Sequence, residues 1–212
     1  MDSPNSVPEQ AQIIELLQRD REQALADLFQ AVRPRLKRIV NFRLDYRLSG
    51  RVAESDVIQE AYVRAAKHLD GFLEKRELPF FVWLRMELHQ MLQDIHRHHF
   101  DAEKRDARRE KLFSPTSSGC ETSMAIAAHL VGRVSTPSRL VEKAEQIAML
   151  QQTLEELPEL DREIIALRHF EELSNLETAE YLGIEPSAAS KRYLRALKRL
   201  KEIMNSVGGD GN

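Results

Sequence analysis

Apolar residues recur at steps of three and four through most of the chain, the spacing of helices that bury one face. Ile13, Leu16 and Leu17, then Leu25, Leu28, Phe29 and Val32, predict two helices near the start. Pro34 has no amide hydrogen and is expected to kink or break the second of them. Ile58, Ala61, Tyr62, Ala65, Ala66 and Leu69 share one face of a helix over about 54–69, and another helix is predicted over about 80–97. Asp70-Gly71 and Leu78-Pro79 punctuate the two. Residues 114–138 change character: SPTSSGCETS is small and polar, with MAIAAHLVG behind it as a short helical or interaction segment. Thr136-Pro137 suits a helix start, with Thr as the cap and Pro in the first turn. A second helical region follows, before the glycine-rich end GGDGN. No alternating strand pattern stands out. The expected fold is all-α, with two small helical domains over 9–112 and 137–205 and a flexible linker over 113–136. Residues 1–8 and 206–212 are expected to be flexible ends.

The sharpest local pattern is LSNLETAEYLGIEPSAASKRYLRALKRLKE, which reads as helix, tight turn, helix. Ala179 allows close packing in the first helix, and Gly183, four residues on, suits a backbone with positive φ. This is the spacing of a helix-turn-helix, whose second helix enters the DNA major groove. At 100° per residue, Lys191, Arg192, Arg195, Lys198 and Arg199 fall within an arc of roughly 120°. Ala189, Tyr193, Ala196, Leu197 and Leu200 gather opposite. Phosphate contact on one side and packing on the other need such a division, although a solvated or membrane-surface helix shares it. The turn spacing favours DNA. Arg192 and Arg195 are the leading candidates for base or phosphate contact, with Ser187, Ser190 and Lys191 at the helix start.

Charge changes the picture once its distribution is considered. The 212 residues hold 31 Lys+Arg against 34 Asp+Glu, a formal net charge of −3 that on its own argues against a nucleic-acid partner. Yet residues 33–51 carry seven bases and one acid, residues 142–180 eleven acids and three bases, and residues 191–201 six bases and no acid. Block charge says more about partners than the sum does, though a charged block is also what a solvated face looks like. One Cys excludes a disulfide framework and points to a reducing, cytoplasmic setting. No run reaches the roughly 20 apolar residues of a membrane span, so no membrane insertion is expected.

The N-terminal half carries two further surfaces. Asp56, Gln59, Glu60, Val63, Arg64 and Lys67 share a polar helix face on which Val63 hints at protein contact. Phe80, Phe81 and Trp83 stand near Arg85, Arg97, His96, His98 and His99. Such aromatics are ordinarily core, but aromatics beside cations also make single-strand stacking platforms. His96 and His99 stand three apart without further ligands at metal spacing, so no metal is expected. There is no phosphate-cradling glycine loop and no nucleophile–base pattern, so no catalytic residue, cofactor or enzyme activity is expected.

The order of elements resembles bacterial RNA polymerase sigma factors of the extracytoplasmic-function (ECF) group, over about residues 22–110 and 140–204. SDVIQEAYVRA is similar to the region-two helix that docks on the polymerase β′ clamp, matching at Asp56, Gln59, Glu60 and Arg64. FFVWLRMELHQMLQD resembles the element that reads and opens the −10 sequence, matching at Trp83, Leu84 and Asp94. The segment from Leu157 to Leu200 resembles region four, the −35 reader, matching at Leu157, Pro158, Arg162, Glu163, Arg168, Ala179, Gly183, Arg192, Arg195 and Ala196. The resemblance implies polymerase binding by Asp56, Gln59, Glu60, Val63 and Arg64. It implies −10 recognition and melting by Phe80, Phe81, Trp83, Arg85, Gln90, Asp94 and Arg97. It implies −35 contact by Ser187, Ser190, Lys191, Arg192, Arg195, Lys198 and Arg199. The implied partners are core RNA polymerase (β′ clamp and β flap), promoter DNA and an anti-sigma factor. Gln90 stands where the family commonly has Asn, Ser55 where an acid is frequent, and Ala188-Ala189 where a Thr-Val-like pair is usual. A stand-alone helix-turn-helix regulator with an N-terminal dimerisation or sensing domain is the alternative, and a helical interaction protein without a DNA role is a third.

Overall fold

The computed structural model describes residues 10–45, 47–48, 50–106, 118–134 and 140–209. All regular structure among them is helical: α1 (Gln10–Arg19), α2 (Arg21–Arg43), α3 (Glu54–Lys75), α4 (Phe80–Asp106), α5 (Ser118–Val134), α6 (Leu140–Leu154), α7 (Glu159–Ile165), α8 (Asn175–Leu182) and α9 (Pro186–Gly209). A π-helical turn, Ala166–Phe170, continues α7. The chain divides into two compact units, Met1–Asn41 with Ser49–Ala102, and Phe42–Leu48 with Glu103–Asn212.

In the first unit, α1 to α4 turn their apolar stripes on one core that includes Leu17, Leu36, Ile39, Leu69, Leu84 and Leu88. Aromatic rings tie α3 to α4: Phe72 stacks on Trp83 with centroids 4.6 Å apart, and Phe80 meets Phe72 edge-on at 5.8 Å. Gln10 closes the start of α4, accepting from the Phe80 N–H at 2.9 Å and donating to the Leu78 carbonyl at 2.9 Å. One side chain thereby satisfies a helix-end donor that has no partner within the helix.

Two expected breaks do not occur. α2 runs through Pro34 without interruption, because Leu28, Phe29, Val32, Leu36, Ile39 and Val40 are buried on both sides of it and hold the helix in register. α3 runs through Gly71 to Lys75, anchored by buried Phe72, and ends where Arg76 takes a left-handed conformation at φ 49° and donates to the Phe72 carbonyl. Likewise α4 extends to Asp106 rather than residue 97.

In the second unit, α5 packs against α6 and α7, and α9 against α7 and α8. Most of the stretch expected to be linker is α5, whose Thr122, Ser123, Ala125, Ile126, Ala127 and Val131 are buried. Its small residues, which read as low hydrophobicity, are what lets a neighbouring helix approach. The glycine pair at 208–209 likewise falls within α9. The N-terminal end 1–8, the Thr136-Pro137 helix start and the last residues 210–212 lie outside the described residues.

An ion cluster sits inside this unit. Arg43 donates to Glu171 at 2.6 Å, to Glu163 at 2.7 and 3.2 Å, and to the Thr122 hydroxyl at 2.8 Å. Arg43, Glu171 and Thr122 are all buried. Beside them Phe42 stacks on Phe170, with centroids 4.7 Å apart and planes 8° from parallel.

Candidate nucleic-acid and protein interfaces

The helix-turn-helix is assembled by local chemistry at three points. Ser174 caps α8 by accepting from the Glu177 N–H at 3.2 Å, and the Glu177 carboxylate accepts from the Ser174 N–H at 2.8 Å. This reciprocal pair fixes where the helix begins. At the other end Gly183 has φ 63°, and the Ile184 N–H reaches back to the Ala179 carbonyl at 3.0 Å. That is the left-handed termination glycine favours. Pro186 then opens α9, and Asn175 crosses the turn, donating to the Pro186 carbonyl at 2.8 Å and accepting from the Ser190 hydroxyl at 3.0 Å. Ala179 on α8 and Ala189 and Ala196 on α9 are buried in the core of the unit.

The basic arc of α9 divides into two functions. Asp161 on α7 is only 2% exposed, yet its carboxylate accepts from Arg192 at 3.0 Å and from Arg199 at 2.5 Å. These two arginines are seven residues apart on α9, so one acid grips the helix at two points along its length. The outward stripe is Ser187, Lys191, Leu194, Arg195 and Lys198, all exposed. Leu194, 66% exposed among cations, was not singled out in the sequence, where its register between Ser187 and Lys198 marked it. Two more arginines hold the domain's frame. Arg162 donates to the Leu154, Glu155 and Leu157 carbonyls and so closes the end of α6. Arg168 donates to the Leu173 carbonyl at 2.7 Å, with its guanidinium 5.4 Å from the Tyr193 ring centroid.

In the first unit, Asp56, Gln59, Glu60, Val63 and Lys67 form an exposed stripe along α3, with Val63 54% exposed. Arg64 leaves that stripe and crosses to α4. It donates to Glu87 at 3.0 Å, to Asp94 at 3.0 Å and to the Gln90 side-chain oxygen at 3.1 Å. Glu87 also meets His68 Nδ1 at 2.7 Å, and Arg97 donates to Asp94. Partial burial favours the neutral form of Asp94, but the hydrogen bonds and charges of Arg64 and Arg97 outweigh it, leaving its pKa below the usual carboxylate range. Glu54 is lowered as well, chiefly by its bond to Lys37, 2.8 Å away.

The expected stacking platform on α4 needs correction. Phe80, Phe81, Trp83 and Arg85 are buried in the core of the unit, and Phe81 is covered by the Arg35 guanidinium 3.5 Å from its centroid. Rings buried to this extent offer no open face on which a base could stack. Gln90, Asp94 and Arg97 are the exposed members of the expected set. The basic block at 33–51 is partly neutralised within the fold. Within 33–51, Lys37 pairs with Glu54, Arg43 with Glu163 and Glu171, and Arg47 with Asp45. Among the described residues no group of three or more His, Cys, Asp or Glu is arranged to hold a metal, and no helix is long and apolar enough to cross a membrane.

Residues 147–200 match the family of sigma-70, region 4. Over 196 residues the chain is 26% identical to the ECF RNA polymerase sigma factor SigW of Bacillus subtilis, covering 92% of this chain and 96% of SigW. It is 27% identical over 198 residues to the ECF RNA polymerase sigma factor SigD of Mycobacterium tuberculosis, covering 93% and 84% of the two chains. The solved structure of CnrH in complex with the cytosolic domain of CnrY shares the fold, with a TM-score of 0.52 at 20% identity over 93% of this chain and 97% of that one.

Proposed function

On the premise of a chain that resembles ECF sigma factors over more than nine-tenths of its length and carries a sigma-70 region 4, we propose how it serves as a sigma factor in transcription initiation. The exposed α3 stripe, Asp56, Gln59, Glu60 and Val63, docks on the β′ clamp of core RNA polymerase. α9 enters the major groove of the −35 element, with Ser187, Lys191, Leu194, Arg195 and Lys198 toward the DNA and Arg192 and Arg199 holding the helix to α7. Gln90, Asp94 and Arg97 on α4 meet the opened −10 strand, and the packed aromatics beneath keep that helix rigid. Melting is driven by exchanging base stacking for protein contacts on that surface. The polymerase itself joins the two readers, so each can bind weakly alone and tightly together. The second unit also contacts the β flap, and the protein works in the cytoplasm. The likeness to CnrH, which is solved bound to the cytosolic domain of CnrY, supports an anti-sigma factor as a further partner.

The observation that carries this reading is the outward cationic stripe of α9, mounted by Asp161 inside a segment matched to region 4. Reconstituted transcription with purified core polymerase over a genomic promoter library tests it. Core-dependent initiation at a shared two-part promoter is expected. High-affinity binding to a palindromic operator by the protein alone, with no association with core, would replace this reading with the stand-alone regulator.

A further inference from the structure

Arg64 matches the polymerase-docking motif by sequence, yet in the structure it bonds to the helix proposed to read the −10 strand. Glu87, Gln90 and Asp94 stand at i, i+3 and i+7 on α4, and the Arg64 guanidinium donates to all three, at 3.0, 3.1 and 3.0 Å. A guanidinium has donors and no acceptor, so the Gln90 atom facing it is the amide oxygen and the NH2 group is turned away from it. Gln90 is an exposed residue, so its side chain is open to a partner. Asp94 is braced from the other side by Arg97. The Arg64 side chain is only 24% exposed, which leaves little of it for a partner surface.

We propose that Arg64 is a positioning residue for promoter reading: it fixes the Gln90 amide with its donor outward, so that Gln90 selects a −10 base presenting a hydrogen-bond acceptor. This rests on the sigma-factor reading above and assigns a direction to its −10 contact. The neighbouring α3 stripe at Asp56, Gln59, Glu60 and Val63 remains the docking face, separate from Arg64 in role.

The test uses the full-length protein with core polymerase on a promoter library randomised across the −10 element, with core affinity and thermal unfolding measured in parallel. Arg64→Lys keeps the charge and loses the three-point grip. Gln90→Glu keeps an acceptor for Arg64 and removes the outward NH2. Both variants are expected to flatten base preference at the same single −10 position by about tenfold, the scale of one good side-chain contact to a base. Core affinity should stay within about twofold, since the docking stripe is untouched. Combining the two should add little to either alone, because both act on one amide. Loss of core affinity in Arg64→Lys with an unchanged base profile would make Arg64 a polymerase contact and overturn the proposal. An unchanged profile in Gln90→Glu overturns it even if Arg64→Lys fails to fold. A wild-type protein that directs no core-dependent initiation overturns the sigma-factor reading and this inference together, whereas initiation with neither variant altering the profile overturns this inference alone.

Discussion

Arg192 and Arg199 carry the positive charge that suggests DNA contact, but both converge on a buried carboxylate at Asp161, so truncating either one changes how α9 is mounted. Arg192→Ala is expected to cost about 1–2 kcal/mol of stability, as for a charged hydrogen bond at a part-buried site, read by urea unfolding. Lys191→Ala and Arg195→Ala should weaken promoter binding with stability changed by less than about 0.5 kcal/mol, as for exposed positions. Leu194 makes a more pointed case. An apolar side chain facing the major groove can contact the thymine methyl. Replacing thymine by uracil across the −35 element is therefore expected to weaken binding of the wild type and to leave Leu194→Ala nearly indifferent, measured as holoenzyme affinity. Asp94 carries a pH prediction. Its folded pKa lies below the unfolded value, so the stability it contributes is complete above the unfolded pKa of about 3.9 and is lost as pH falls through the lower folded value. Asp94→Asn should flatten the stability–pH curve below about pH 4 and leave its slope near neutrality unchanged. The residue types at these sites were legible in the sequence, but their partners were not, because Asp161 and Arg192 are 31 positions apart and meet only once the domain is packed.

Two glycines in helical surroundings separate what local pattern can and cannot determine at the scale of an element. Gly183 sits at φ 63° and ends α8, whereas Gly71 lies inside α3, and at neither would an added Cβ meet another atom within 4 Å. The same substitution is therefore expected to act in opposite directions. Gly71→Ala should stabilise by about 0.5–1 kcal/mol, the helix-interior penalty of glycine. Gly183→Ala should destabilise by about 1–2 kcal/mol, the left-handed penalty of a side chain. Thermal unfolding of the two variants side by side reads both signs. The turn at Gly183 was legible because a small residue, Ala179, and a glycine four positions on precede a basic amphipathic helix, a spacing that suits one tight geometry. The helix does not end at Pro34 or at Gly71, because burial of apolar residues on both sides outweighs one missing hydrogen bond or one flexible residue.

For the whole molecule, a net charge of −3 and DNA binding are compatible because so few cations face outward in the proposed groove. With Lys191, Arg195 and Lys198 as the phosphate-facing set, the logarithm of affinity at the −35 element should fall with the logarithm of salt at a slope near about −3. All-helical architecture was readable from periodicity. The helical segment MAIAAHLVG was legible within the stretch expected to link the domains, but the start of α5 at Ser118 was not, because SGCETS is small and polar whether it begins a packed helix or a tether. The cluster at Arg43 was beyond reach of any local pattern, since Glu163 and Glu171 lie 120 and 128 positions away. It has a consequence for folding order and for dissection. The second unit is discontinuous in sequence: its cation leaves the ribosome more than a hundred residues before the two acids that enclose it. A fragment beginning at residue 103 retains the helix-turn-helix yet lacks Arg43, and with it the bonds of 2.6 Å to Glu171 and 2.7 Å to Glu163, so it is expected to be less stable than the same unit in the full chain. Excised in that way, the DNA reader loses part of its own core to the piece that was discarded.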